Sequence, residues 1–233
     1  MIESVNNERI KRYAKLQQKK YRDLEGLFIV EGDHLVEEAK KNNLLVDTFS
    51  LDGSEGTQVS ESVMRKLSSL STVPNVLGIV KKRESKEIAG NILILDGIQD
   101  PGNLGTIIRS AVAFNIDTII ASSDTVDVYN QKTIRSSEGM IFNINYIVAD
   151  LEEILPSLNE YDIYTTNVVN GEDIRTIDVT KKYAIIMGNE GAGVRKKIAT
   201  LANKTLYIPI SEKCESLNVA IATSIILYEL SKK

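Results

Sequence analysis

The chain has no tryptophan, one cysteine, one histidine and four prolines in 233 residues. The single cysteine, Cys214, excludes an internal disulfide and any metal cluster built on several thiolates. The single histidine, His34, lies far along the chain from the glycine-rich segments, so a serine–histidine–aspartate triad or a multi-histidine metal site has little to draw on. Any catalysis is expected to proceed without histidine and without a metal. A long apolar run is also missing: none approaches the roughly 20 residues that cross a bilayer. The first residues, MIESVNNERIKRY, are too polar and charged for a signal peptide, and a cytoplasmic protein is expected.

What is present suits a folded protein of one large domain or two small ones, with 42% hydrophobic residues to build a core. The net charge of −4 does not advertise a nucleic-acid partner. The average conceals a local excess: Arg9, Lys11, Arg12, Lys15, Lys19, Lys20 and Arg22 carry no acid among them, and Tyr13 and Tyr21 lie between. Such a run can neutralise phosphates and stack on bases, and it reads equally as a solvated helix face.

The apolar pattern predicts a small α/β unit first. Strands are expected at Leu27–Val30, Leu44–Phe49 and Val76–Val80, with helices at Glu31–Lys41 and Ser60–Leu70. The charged stretch Lys81–Glu87 reads as a linker, which gives a division into 1–82, a linker 83–90 and 91–233. Beyond it strand and helix alternate. Strands are predicted at Ile92–Leu95, Thr118–Ala121, Ile144–Val148, Asp162–Thr166, Tyr183–Met187 and Thr205–Ile208. Helices are predicted at Leu104–Phe114, Gln131–Ser137, Leu151–Asn159, Val194–Leu201 and Leu217–Leu230. That alternation predicts a mainly parallel sheet covered on both faces, with ligands at the carboxyl ends of its strands.

Three segments carry polar groups at such ends. In Ile92–Phe114, Pro101-Gly102-Asn103 reads as a turn with Asn103 as a helix cap, and Arg109 falls outside the apolar stripe of the following helix. In Met187–Gly193, Glu190 stands between glycines, where it can cap a helix near Val194 or serve as a site carboxylate. This segment lacks both the dinucleotide fingerprint GxGxxG and the lysine–serine/threonine of a P-loop. In Ile208–Asn218, Ser216 can cap a terminal helix that is apolar almost all round, which implies burial in the fold or against a partner.

Together and in this order, the three segments resemble the signature motifs of the SpoU (TrmH-like) RNA 2′-O-ribose methyltransferases of the SPOUT superfamily. The resemblance covers roughly 91–233. The preceding IKRYAKLQQKKYR…GLFIVEGDHLVEEA is similar to a small substrate-binding domain, itself like ribosomal RNA-binding proteins, often fused to these enzymes. The resemblance implies a parallel-sheet domain with a deep trefoil knot, S-adenosylmethionine as cofactor, a homodimer through the C-terminal domain, and RNA as substrate. Large-subunit (23S) ribosomal RNA is favoured over transfer RNA. It implies catalytic roles for Asn103, Arg109, Glu190, Ser216 and Asn218, and cofactor contacts from Thr166, Gly188, Asn189, Gly191, Ile208 and Leu217. Because a guanidinium stays protonated, Arg109 is expected to bind a phosphate and stabilise developing charge rather than act as base. Glu190 is expected to hold Arg109 or the substrate, or to relay the proton. Family members often have glycine where this chain has Glu212. Two other readings compete: an RNA-binding or ribosome-assembly module without catalysis, which the intact polar set opposes, and a dehydrogenase-like enzyme, which the missing GxGxxG opposes.

Overall fold

The computed structural model describes residues 1–169, 171–179 and 181–232. They form two compact units: Met1–Glu84 with Tyr129–Asn143, and Ser85–Val128 with Ile144–Lys233.

The first unit starts with helices α1 (Glu8–Ala14) and α2 (Lys19–Glu25), separated by a single 3₁₀ turn. Strand β1 (Leu27–Glu31), helix α3 (Asp33–Lys41), strands β2 (Leu45–Ser50) and β3 (Thr57–Gln58), helix α4 (Glu61–Leu67) and strand β4 (Val76–Lys81) follow. The sheet order is β1-β4-β2-β3, with β4 antiparallel to both neighbours. Ile10, Leu16, Ile29, Phe49, Met64 and Leu77 are among the buried residues that pack one core. Ser60 caps α4 by accepting a hydrogen bond from Val63 N–H, as its side-chain type predicts. The three strands and two helices expected here are present; α1 and α2 fall on the basic run that also read as a helix face, and the two-residue β3 was not anticipated.

β1 is buried along its whole length, so both of its faces are covered. Leu27 and Ile29 enter the core, whereas Phe28 packs on Tyr129 and Phe142, with ring centroids 4.7 and 6.2 Å away. The second cover is the segment Tyr129–Asn143, including α6 (Gln131–Ser136). Gln131 donates to the Ile29 carbonyl on the edge strand at 3.1 Å, and Arg83 donates to the Phe142 carbonyl. Arg135 pairs with the buried carboxylate of Glu31 at 3.4 Å.

The second unit is a seven-stranded sheet of β5 (Ile92–Asp96), β6 (Thr118–Ala121), β7 (Asn145–Val148), β8 (Asp162–Thr166), β9 (Glu172–Asp173), β10 (Tyr183–Gly188) and β11 (Lys204–Tyr207). Its order is β7-β6-β5-β10-β8-β11-β9, and every pairing is parallel. Central β5 and β10 are buried at every residue, the pattern of a sheet covered on both faces. The helices are α5 (Pro101–Ala113), α7 (Leu151–Ile154), α8 (Lys196–Ala199) and α9 (Val219–Ser231). The expected parallel α/β class is borne out, and only two-residue β9 was unforeseen among the strands. Residues 86 and 87 of the expected linker accept from the side chain of Asn145 on β7. No helix among the described residues is long and apolar enough to cross a membrane.

Arg22 corrects the reading of the basic run as one exposed set. Its side chain is only 4% exposed and donates to the carbonyls of Leu16 and Gln17 at 3.0 and 2.9 Å. Those acceptors close the turn between α1 and α2, so Arg22 supports the backbone there. Arg22→Ala should lower stability by about 2 kcal/mol, the cost of leaving buried acceptors without a charged donor, while exposed Lys20→Ala changes little. Urea unfolding of the full chain checks both.

Candidate active site

The carboxyl ends of β8, β10 and β11 open on one cavity of about 840 Å³. Its floor is Thr165 and Thr166 of β8 and Met187 and Gly188 of β10. One wall is the loop Asn189–Gly193 and the face of α8 that carries Lys196 and Ala199. The other is Ile208, the stretch Ser216–Val219, and Ala222 and Ile226 of α9.

The glycines of the loop have separate reasons. A Cβ on Gly188 would overlap the backbone of Gly193 and Val194, because the loop folds straight back over the strand end. Gly193 has φ +69°, a left-handed conformation that favours glycine. Asn189 and Gly193 exchange two backbone hydrogen bonds at 3.1 and 2.9 Å. The Asn189 side chain closes the inside of the turn by accepting from the N–H groups of Gly191 and Ala192, and it donates to the Gly97 carbonyl at 2.8 Å.

Just past this loop lies an ion pair that sequence reasoning missed. Asp96, 1% exposed at the end of β5, accepts from the backbone N–H and the Nε of Arg195, each at 2.7 Å. Asp124 stands 4.0 Å from the same guanidinium. The pair ties the end of the loop to the central strand. An acid as the last residue of an apolar strand was the available signal.

Glu190 joins the three segments. Its carboxylate accepts from the N–H of Gln99, the N–H of Asp100 and the side-chain amide of Asn103, each at 3.1 Å. The Asn103 carbonyl oxygen accepts from the Asn218 amide at 3.0 Å, and the Asn218 oxygen caps α9 through Ala220 N–H and Ile221 N–H. Partial burial works to raise the Glu190 pKa, but the bonds from Asn103 and from the loop backbone outweigh it and hold the carboxyl below its ordinary value.

Three expected caps are thereby corrected. Asp100 caps α5 by accepting from Asn103 N–H at 2.9 Å with Pro101 in the first turn, so Pro101-Gly102-Asn103 is helix rather than turn. Asn218, not Ser216, caps α9. Glu190 caps no helix at Val194; α8 starts at Lys196 with no side-chain cap.

Thr166, Gly188, Asn189, Gly191, Ile208 and Leu217 all line the cavity, as do Glu190, Ser216 and Asn218. Asn103 reaches this group through its hydrogen bonds. Arg109 does not line the cavity: it points to solvent from α5 and makes no hydrogen bond or ion pair with the described residues. Glu190 therefore holds Asn103 and the approach to α5, not Arg109. Glu212 is exposed in a turn closed by Cys214 N–H to the Ser211 carbonyl at 2.9 Å, outside the cavity lining.

In the first unit, Arg9, Lys11, Arg12 and Lys19 are engaged by Asp47, Glu8, Glu25 and Asp23. Lys15 and Lys20 are exposed and lie 5.5 and 6.0 Å from the Tyr21 ring centre. Among the described residues no group of three or more histidine, cysteine or acidic side chains could hold a metal.

Residues 90–228 match the model of the SpoU rRNA Methylase family, and residues 7–78 match that of an MRM3-like substrate binding domain. The chain is 35% identical to the 23S rRNA (guanosine(2553)-2′-O)-methyltransferase RlmP of Bacillus subtilis, with 98% of each covered. A crystal structure of an AdoMet-bound rRNA methyltransferase from Sinorhizobium meliloti superposes with a TM-score of 0.88 at 30% identity, over 99% of this chain and 97% of that one. The SpoU methyltransferase AviRb from Streptomyces viridochromogenes, at 23% identity and a TM-score of 0.84 over 97% and 98%, shares the fold.

The Glu190 network makes a direct prediction. Glu190→Gln should speed hydrogen exchange of the Gln99 and Asp100 amides about tenfold at neutral pH, equivalent to about 1.4 kcal/mol. In the native chain the carboxyl is held low, so its contribution is complete above the ordinary glutamate range and is lost only as pH falls through the lowered value. Exchange rates corrected for intrinsic pH dependence check both.

Proposed function

We propose, from the premise that the chain belongs to the SpoU rRNA methylase family, that it methylates a ribose 2′-hydroxyl of 23S ribosomal RNA. The cofactor is S-adenosylmethionine. The observation that carries the reading is the hydrogen-bonded chain Glu190–Asn103–Asn218, which joins all three polar segments at a cavity that the six expected cofactor contacts line.

The cavity suits the cofactor. Its volume falls in the roughly 300–1,000 Å³ range of small-molecule sites. Ile208, Leu217 and Ile226 offer an apolar wall, and the glycine loop offers close backbone approach. When bound, S-adenosylmethionine supplies an electrophilic methyl group on a sulfonium.

The chain's own residues then position the ribose. The Ser216 hydroxyl has no partner among the described residues and is free to orient the attacking 2′-hydroxyl. Asn218 and Asn103 are held by each other and by Glu190, which fixes the rim against which the ribose lies. Glu190, loaded with three donors, acts as a positioning group. Arg109, exposed on α5 outside the cavity lining, engages a backbone phosphate and, once the RNA lies across the rim, stabilises charge developing on the ribose oxygen. Holding the ribose hydroxyl in one place against a bound methyl donor would supply several kcal/mol of the catalysis.

The first unit is proposed to bind RNA, with exposed Lys15 and Lys20 beside Tyr21 as its clearest phosphate and base contacts. The division at 83–90, the trefoil knot, the homodimer through the C-terminal domain and a cytoplasmic location belong to the same proposal. Ile221 and Tyr228, large hydrophobic side chains exposed on α9, favour the homodimer.

Tritiated S-adenosylmethionine with unmodified ribosomal and transfer RNA, followed by mapping of 2′-O-methyl positions, should place label at one 23S site. Label in transfer RNA alone overturns the substrate; no label in any RNA overturns the activity. Arg109→Ala should lower turnover about 100-fold or more with cofactor affinity intact.

A further inference from the structure

Two charged side chains line the cavity among the described residues, Glu190 and Lys196. Their situations are opposite. The Glu190 carboxylate keeps its charge and is solvated in place by three neutral hydrogen-bond donors. Lys196 is exposed and forms no hydrogen bond or ion pair with the described residues, although the adjacent Lys197 pairs with Glu152 at 3.8 Å. Arg195, on its other side, is committed to Asp96. Lys196 is therefore the one cation that lines the cavity among the described residues, and no acidic side chain among them engages it.

Its place within the cavity gives that charge a direction. Lys196 and Ala199 of α8 and its C-cap residue Thr200 lie at positions i, i+3 and i+4, so one face of this short helix is turned to the cavity. The wall formed by Ile208, Leu217 and Ile226 is apolar. A ligand with a flat, weakly polar end and a zwitterionic end has one favourable orientation here: rings toward the apolar wall, amino-acid end toward α8. S-adenosylmethionine has that form, and its only anionic group is the carboxylate. The reverse orientation would set the lysine beside apolar rings and leave the carboxylate without a counter-charge.

We infer that Lys196 is a binding residue for the carboxylate of the cofactor's amino-acid end. This rests on the reading that S-adenosylmethionine occupies this cavity. It gives the chain a charge-based preference for ligands that keep the amino-acid end.

The test separates the two levels. S-adenosylhomocysteine and 5′-methylthioadenosine share the nucleoside and the thioether and differ in the amino-acid end. Calorimetric titration of both is made on the native chain, Lys196→Ala and Lys196→Arg. Lys196→Ala should weaken S-adenosylhomocysteine about three- to tenfold, the range of an exposed to partly shielded ion pair, and leave 5′-methylthioadenosine unchanged. Lys196→Arg should recover most of the loss, and molar salt should shrink the difference. Equal affinities of native chain and Lys196→Ala for S-adenosylhomocysteine overturn the assignment with the cofactor reading intact. Loss of RNA affinity instead, with cofactor affinity unchanged, overturns it in favour of a phosphate contact. A native chain that binds neither ligand overturns the cofactor reading and this inference with it.

Discussion

The site depends on how the Glu190 carboxylate distributes its hydrogen bonds. Two go to the backbone before α5 and one to the Asn103 side chain. Asn103 passes the constraint to Asn218, which begins α9. Segments about 90 and 115 residues apart in the chain are thus fixed by one continuous polar chain. The arrangement is favourable because the acceptor is charged, which roughly doubles each bond, and because a carboxylate at the approach to α5 faces the positive end of that helix. The same bonds explain the lowered pKa of the acid and make it a poor proton acceptor.

This polar chain works only on a rigid base, and the sheet provides it. Parallel strands present their carboxyl ends on one edge, and β8, β10 and β11 bring three of them to the cavity. The loop that carries Glu190 is held at both ends: by the exchange of hydrogen bonds between Asn189 and Gly193, and by the Asp96–Arg195 pair. Asp96 is deeply buried, and the guanidinium and backbone N–H of Arg195 satisfy its carboxyl oxygens there. A cavity this open keeps its shape because its wall is tied to the core of the sheet.

Much of this was legible in the sequence because apolar runs fix strands directly: Thr118–Ala121 and Asp162–Thr166 are observed with the boundaries the pattern predicts. The class of the fold followed from strand–helix alternation, and the cavity residues followed from the resemblance of three motifs. Two-residue β3 and β9 left no trace, since Thr57-Gln58 and Glu172-Asp173 have no periodicity to read. Tyr129–Asn143 read as part of the second unit because its helical pattern continues the alternation; only the position of Phe28 reveals why it joins the first. Arg22 resembles its basic neighbours in sequence, and burial alone distinguishes it. The cap of α5 was legible but misread: Asp100 followed by Pro101 is a stronger helix start than Asn103.

The most direct test of the central claim is a crystal structure of the chain with S-adenosylhomocysteine. The account predicts ligand density in the cavity at the ends of β8, β10 and β11, against Gly188 and Leu217, with Glu190 still bonded to Asn103. Density at any other place on the chain, or a Glu190 carboxylate released from Asn103 to contact the ligand, would contradict it.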